Sequence, residues 1–100
     1  MPNTKAFVVR LVAKPGQEEQ VAKLLVGALP HMQAETTTPV WFSFRAPDNT
    51  FYIVDAFADD GARQRHLEGP VAASLMQHID LLAQPPEIIP VDVLAEKVTA

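Results

Sequence analysis

Val40-Trp41-Phe42-Ser43-Phe44-Arg45, then Ala46-Pro47-Asp48-Asn49-Thr50, then Phe51-Tyr52-Ile53-Val54-Asp55-Ala56-Phe57: this stretch decides the fold. The outer runs are rich in aromatic and β-branched residues and read as strands. The segment between them is made of turn formers. Only an antiparallel pair can be joined by so short a link, so the stretch predicts a hairpin.

Toward the N-terminus, the polar run Glu35-Thr36-Thr37-Thr38-Pro39 connects the hairpin to a helix. That helix is predicted from Gln17 to about Met32, because Val21, Leu24, Leu25, Ala28, Leu29 and Met32 recur at steps of three and four. Glu18 and Glu19 sit in its first turn, where the helix dipole favours negative charge. Pro30 predicts a kink or an end nearby. Lys14-Pro15-Gly16 separates this helix from a first strand, Phe7 to Val12.

Toward the C-terminus, Asp59 or Asp60 caps a helical stretch. It breaks at Gly69-Pro70, and Pro70 suits the first position of a continuation to about Ala83. Gln84-Pro85-Pro86 stops it. A last strand, Ile88 to Leu94, tolerates Pro90 only on an edge or at a bulge. The order is β-α-β-β-α-β: an α+β, ferredoxin-like antiparallel sheet with its helices on one face, expected as one domain over residues 1–100.

The strand faces bear on assembly. Phe51, Ile53 and Phe57 point one way, while Tyr52, Val54 and Ala56 point the other. The first strand is apolar on both faces too. Two helices cover one face, so something apolar is expected on the other, most simply the sheet of a second copy in a homodimer.

Composition narrows the partners. The chain has 100 residues, 48% apolar and 20% charged, which suits one small globular domain with a modest core. Its formal charge of −4 and its scattered Lys and Arg disfavour nucleic acid. An RNA-binding sheet of this topology would need a basic aromatic signature that is missing here. The chain contains no cysteine, which excludes disulfides, Cys-ligated metals and thiol catalysis. The apolar run Ala6 to Ala13 is short and interrupted by Arg10, so no membrane partner is expected and the default compartment is the cytoplasm. The three histidines lack metal-ligand spacing and there is no Gly-rich dinucleotide loop, so no cofactor is expected.

His66 is the first candidate catalytic group, a general base near neutral pH whose competing role is a structural hydrogen bond. Asp55 shares a face with Phe51, Ile53 and Phe57. A carboxylate on an apolar face needs a partner, for which His66, Arg45 and Arg63 are candidates. Trp41 and Tyr52, the sole indole and phenol, are candidates to stack on an aromatic ligand. Phe42, Phe44 and Phe57 are candidate ligand-contacting walls, with plain core packing as the competing role. His31 and His78 read as solvated.

The order of these features resembles the antibiotic-biosynthesis-monooxygenase family. The matching residues are Pro15-Gly16, the hairpin Phe42 to Phe57 with Asp55 and Phe57 in its acidic and aromatic places, then Ala62, His66 and Gly69-Pro70. The resemblance implies a dimeric α/β barrel, formed by two ferredoxin-like subunits, each with an apolar cavity between sheet and helices. It further implies a cofactor-independent monooxygenase acting on a small aromatic or quinol-like compound. A non-catalytic small-molecule-binding or stress-response domain of the same fold is the other reading. The haem-degrading branch fits poorly: the first strand has no Asn, His66 stands where that branch has Trp, and Val71 replaces its second His.

Overall fold

The backbone follows from how apolar residues alternate. The computed structural model describes residues 2–99. They run as β1 (Lys5–Val12), α1 (Glu18–Ala34), β2 (Val40–Arg45), β3 (Thr50–Phe57), α2 (Asp60–Leu67), α3 (Pro70–Gln77), a single 3-10 turn (Ile79–Leu81) and β4 (Glu87–Asp92). The strands pair antiparallel in the order β2-β3-β1-β4. This is the expected ferredoxin-like arrangement. Asn49, at φ 64°, and Gly16, at φ 88°, take the left-handed conformation in the β2–β3 and β1–α1 connections; asparagine tolerates it and glycine adopts it freely.

Three boundaries differ from the sequence expectation. First, α1 runs straight past Pro30 to Ala34. The carbonyl that proline leaves without a partner is that of Val26, which is 71% exposed, so water can take it. Buried Met32 then holds the last turn down. Second, α3 ends at Gln77 rather than near Ala83. Beyond it the chain pairs with the end of β1, where Ala83 N–H donates to Val12 O at 2.8 Å and Lys14 N–H to Leu81 O at 2.9 Å. Buried Leu82 anchors that return, and a continued helix would forfeit these contacts. Third, the β4 ladder spans Glu87–Asp92 rather than Ile88 to Leu94. Pro90 is accommodated because β4 is an edge strand.

The two sheet faces are unlike. On one, Phe7, Val9, Leu11, Phe51, Ile53 and Phe57 pack with Val21 and Leu25 of α1, Ala62 of α2 and Leu82 into the core. The other carries Phe42, Val54, Val8 and Ile89 in one cross-strand row and Val40, Ala56, Ala6 and Val91 in the next. There Phe42 and Phe44 stack at 5.8 Å between ring centroids while remaining 56% and 48% exposed. Among the described residues, no helix is long and apolar enough to cross a membrane.

Candidate functional site

Toward the C-terminal end of β3, flanked by Trp41 of β2 and Phe7 of β1, Asp55 points into the covered face and is 1% exposed. A lone buried carboxylate would cost several kcal/mol or take up a proton. Asp55 is not alone. Its Oδ2 lies 3.1 Å from Nε2 of His66, and its Oδ1 accepts the Phe7 N–H at 3.3 Å. The other two proposed partners are engaged elsewhere. Arg45 pairs with Glu19 at 2.7 Å, and Arg63 donates to Asp60 and to the Ala6 and Val91 carbonyls.

Local chemistry delivers His66 to that point. The Asp59 side chain caps α2 by accepting the Ala62 N–H at 2.8 Å, which sets where the helix starts. His66 then falls in its last turn, with its ring 5.3 Å from that of Phe57. Gly69 ends the turn by donating its N–H to His66 O at 3.0 Å. A side chain at Gly69 would come within 3.3 Å of the Arg65 and His66 carbonyls, so the close return suits glycine.

A third group joins from the far end of α1. Glu35, the C-cap residue, lies 3.1 and 3.3 Å from His66 Nδ1 through its two oxygens and accepts the Thr38 hydroxyl. The ring therefore sits between two carboxylates, one on each nitrogen. Ionised carboxylates only accept hydrogen bonds, so the arrangement is satisfied when both ring nitrogens carry protons. Burial pushes the His66 pKa down, but the hydrogen bond and charge of Asp55, then those of Glu35, outweigh it and the net shift is upward. The cluster thus sets two carboxyl groups against one imidazole.

Beside it lies a cavity of about 420 Å³. Buried Phe7, Val9, Leu25, Ile53, Asp55 and His66 form its inner wall. Exposed Lys23, Gly27, His31, Leu67, Pro70 and Ile88 mark its rim. Of the sequence candidates, His66, Asp55 and Trp41 line this space. Phe57 does not; it is wholly buried beneath the His66 ring. Phe42, Phe44 and Tyr52, candidates for ligand contact, do not line the cavity either. The strict alternation of β2 and β3 sends them to the opposite face of the sheet, away from Asp55. Sequence reasoning missed Glu35, which is 31 residues from His66 and carries no local signal. It also missed the rim pair on α1: His31 is exposed, as expected, yet it borders the cavity. The four-residue spacing of Lys23, Gly27 and His31 was the available clue. The carboxylates lie on opposite sides of the imidazole instead of around one point, and no group of three or more possible ligands among the described residues is placed to hold a metal ion.

No protein-family model and no curated protein matches the chain. Solved structures do. NE2512 of Nitrosomonas europaea, a protein of unknown function, is 46% identical, with 98% of this chain and 96% of that one covered at a TM-score of 0.94. PA3566 of Pseudomonas aeruginosa is 21% identical over 95% and 98% of the two chains, with a TM-score of 0.80. A putative antibiotic biosynthesis monooxygenase from Nitrosomonas europaea is 12% identical over 94% and 93%, with a TM-score of 0.81. The last two likenesses speak for the fold, and the first for kinship. The chain therefore belongs to the same family as NE2512 and has the fold shared by the putative antibiotic biosynthesis monooxygenases.

Proposed function

We propose that the cavity binds a small phenol or quinol and that the Asp55–His66–Glu35 cluster takes its proton, so that dioxygen can attack the electron-rich ring without a cofactor. One observation carries this reading: an imidazole held between two carboxyl groups borders a largely apolar cavity, and with both carboxylates ionised and the ring protonated such a cluster would bear one net negative charge. Accepting one proton neutralises such a cluster, and the remaining imidazolium stabilises the phenolate formed beside it. Both nitrogens of His66 are taken, so Asp55 is the group that receives the proton while His66 and Glu35 hold it in place. In the overall reaction a hydroquinone becomes a hydroxyquinone. One oxygen atom enters the ring, the other leaves as water, and the quinol supplies all four electrons. The cavity volume lies at the lower end of the range of about 300–1,000 Å³ that holds drug-sized ligands, which suits one or two rings.

The same doubly held ring favours a second reading, a binding module in which the cluster is purely structural. Oxygen-uptake assays on a panel of hydroquinones separate the two. His66→Ala should lower turnover by about 100-fold, typical for loss of acid–base chemistry. Asp55→Asn should do the same while preserving side-chain shape. An absence of turnover by the parent across the panel, or parent-like rates in both variants, leaves the binding module. We further propose that two copies pair through the open sheet face, where exposed Phe42, Phe44 and Ile89 surround half-buried Val54 on a domain with a modest core of its own.

A further inference from the structure

The cavity is not symmetric between its buried and its open end. Its inner wall holds the Asp55–His66 pair, with Glu35 behind the ring. Its rim holds a lysine and a histidine, and no carboxylate. Lys23 and His31 lie on one stripe of α1 with Gly27 between them, at steps of four residues, which stack at about 6 Å intervals along a helix. Neither Lys23 nor His31 takes part in an ion pair among the described residues. Their nearest acidic neighbours along the helix are committed elsewhere, Glu19 to Arg45 and Glu35 to His66.

Gly27 adds an independent pointer. Glycine inside a helix costs stability relative to alanine, so it usually has a packing reason. Here it has none, since a Cβ at Gly27 would meet nothing within 4 Å. The missing side chain instead leaves a notch in the cavity rim between the two basic side chains. The protein carries a net charge of −4, so a rim with only basic groups runs against its overall balance.

We propose that the cavity takes an aromatic hydroxy acid: ring system among the apolar walls, hydroxyl toward Asp55 and His66, carboxylate at the rim in the notch between Lys23 and His31. This rests on the reading that the cavity holds a small aromatic molecule, and it names the class. Only one orientation is electrostatically sound. A carboxylate pushed inward would face the buried end, where Asp55 lines the cavity and Glu35 stands behind the His66 ring, whereas at the rim it meets the ammonium of Lys23. His31 can donate a hydrogen bond there whether its ring is neutral or charged. The ligand carboxylate also stays partly in water, so little of its hydration is lost.

The test compares two probes by isothermal titration: a hydroxynaphthoate with its hydroxyl and carboxylate at opposite ends, and the naphthol that lacks the carboxylate. At low salt the parent should bind the hydroxynaphthoate about fivefold more tightly, the size of an exposed ion pair. The preference should fade as salt is raised. Lys23→Gln should abolish it and leave naphthol binding unchanged. Lys14→Gln makes the same charge change at an exposed residue outside the cavity and should leave the preference intact. Equal affinities in the parent, or a preference that survives Lys23→Gln, would overturn this inference while naphthol binding still supported an aromatic-binding cavity. Failure of both probes to bind would overturn the cavity reading as well.

Discussion

Asp55 and Val54 are neighbours in β3 and face opposite sides of the same sheet, yet their surroundings differ in kind. Asp55 faces helices that supply a hydrogen-bonded imidazole and, through it, a second carboxylate. Val54 faces outward in a row with Phe42, Val8 and Ile89, which no helix covers. Hydrophobicity alone does not distinguish the two faces, because both are lined by valine, isoleucine and phenylalanine. What distinguishes them is that one has accepted the cost of burying charge. Replacing a buried ion pair by apolar residues is often neutral or stabilising, so a retained cluster points to chemistry or specificity more than to stability. An exposed apolar face with aromatic residues points to association instead.

The largest expected effect comes from breaking the covered face. Asp55→Ala leaves His66 with one carboxylate and a void against the core, and should cost about 3–5 kcal/mol in urea denaturation. A loss below about 1 kcal/mol would show that the pair does not hold the structure together. On the open face, Phe44→Asp should leave the fold of the subunit intact and weaken association by about 2 kcal/mol or more, roughly thirtyfold in dimer affinity. Sedimentation equilibrium would read this. A parent that is monomeric at micromolar concentration would remove the assembly proposal altogether.

A subtler contrast is in pH dependence. The folded-state pKa of His66 is raised, so its contribution to stability is complete below the unfolded-state value of about 6.5 and is lost as pH climbs through the raised value. Urea midpoints should therefore fall on that alkaline side, and His66→Gln should flatten this part of the profile. A parent-like slope in the variant would assign the dependence to other groups. The smallest effect is expected at the cavity rim. Gly27→Ala should raise stability by about 0.5–1 kcal/mol, since the new methyl group meets no neighbour and the helix gains in propensity. A loss of stability would mean that the rim is tighter than it looks.

Short-range chemistry accounts for how much was legible. The hairpin was readable because Ala46 to Thr50 is all turn formers between two strand-forming runs, and the α2–α3 break because Gly69-Pro70 ends one helix and starts another. The partnership of Asp55 with His66 was readable as one of three options, since a carboxylate in phase with Phe51, Ile53 and Phe57 must find a counter-charge. By contrast, Pro30 misled. Proline costs a helix one hydrogen bond, but whether the helix survives depends on whether water reaches the orphaned carbonyl and whether Met32 beyond it is buried. The same holds for the end of α3, where pairing with β1 overrides local helical preference.

From its sequence alone this protein was bound to form a four-stranded, ferredoxin-like sheet with Asp55 on the same face as Phe51, Ile53 and Phe57, because strand alternation and turn chemistry act between residues close along the chain. The third member of the cluster, Glu35, belongs to the tertiary structure. So does the placing of Lys23 and His31 at a cavity rim. The first depends on where the end of α1 lands relative to α2, the last on how α1 lies over the sheet. The face on which each aromatic meets its neighbours was fixed only when helix packing selected which side of the sheet to cover. That choice is made by long-range burial of apolar surface, and two almost equally apolar faces carry no local mark of which will be buried.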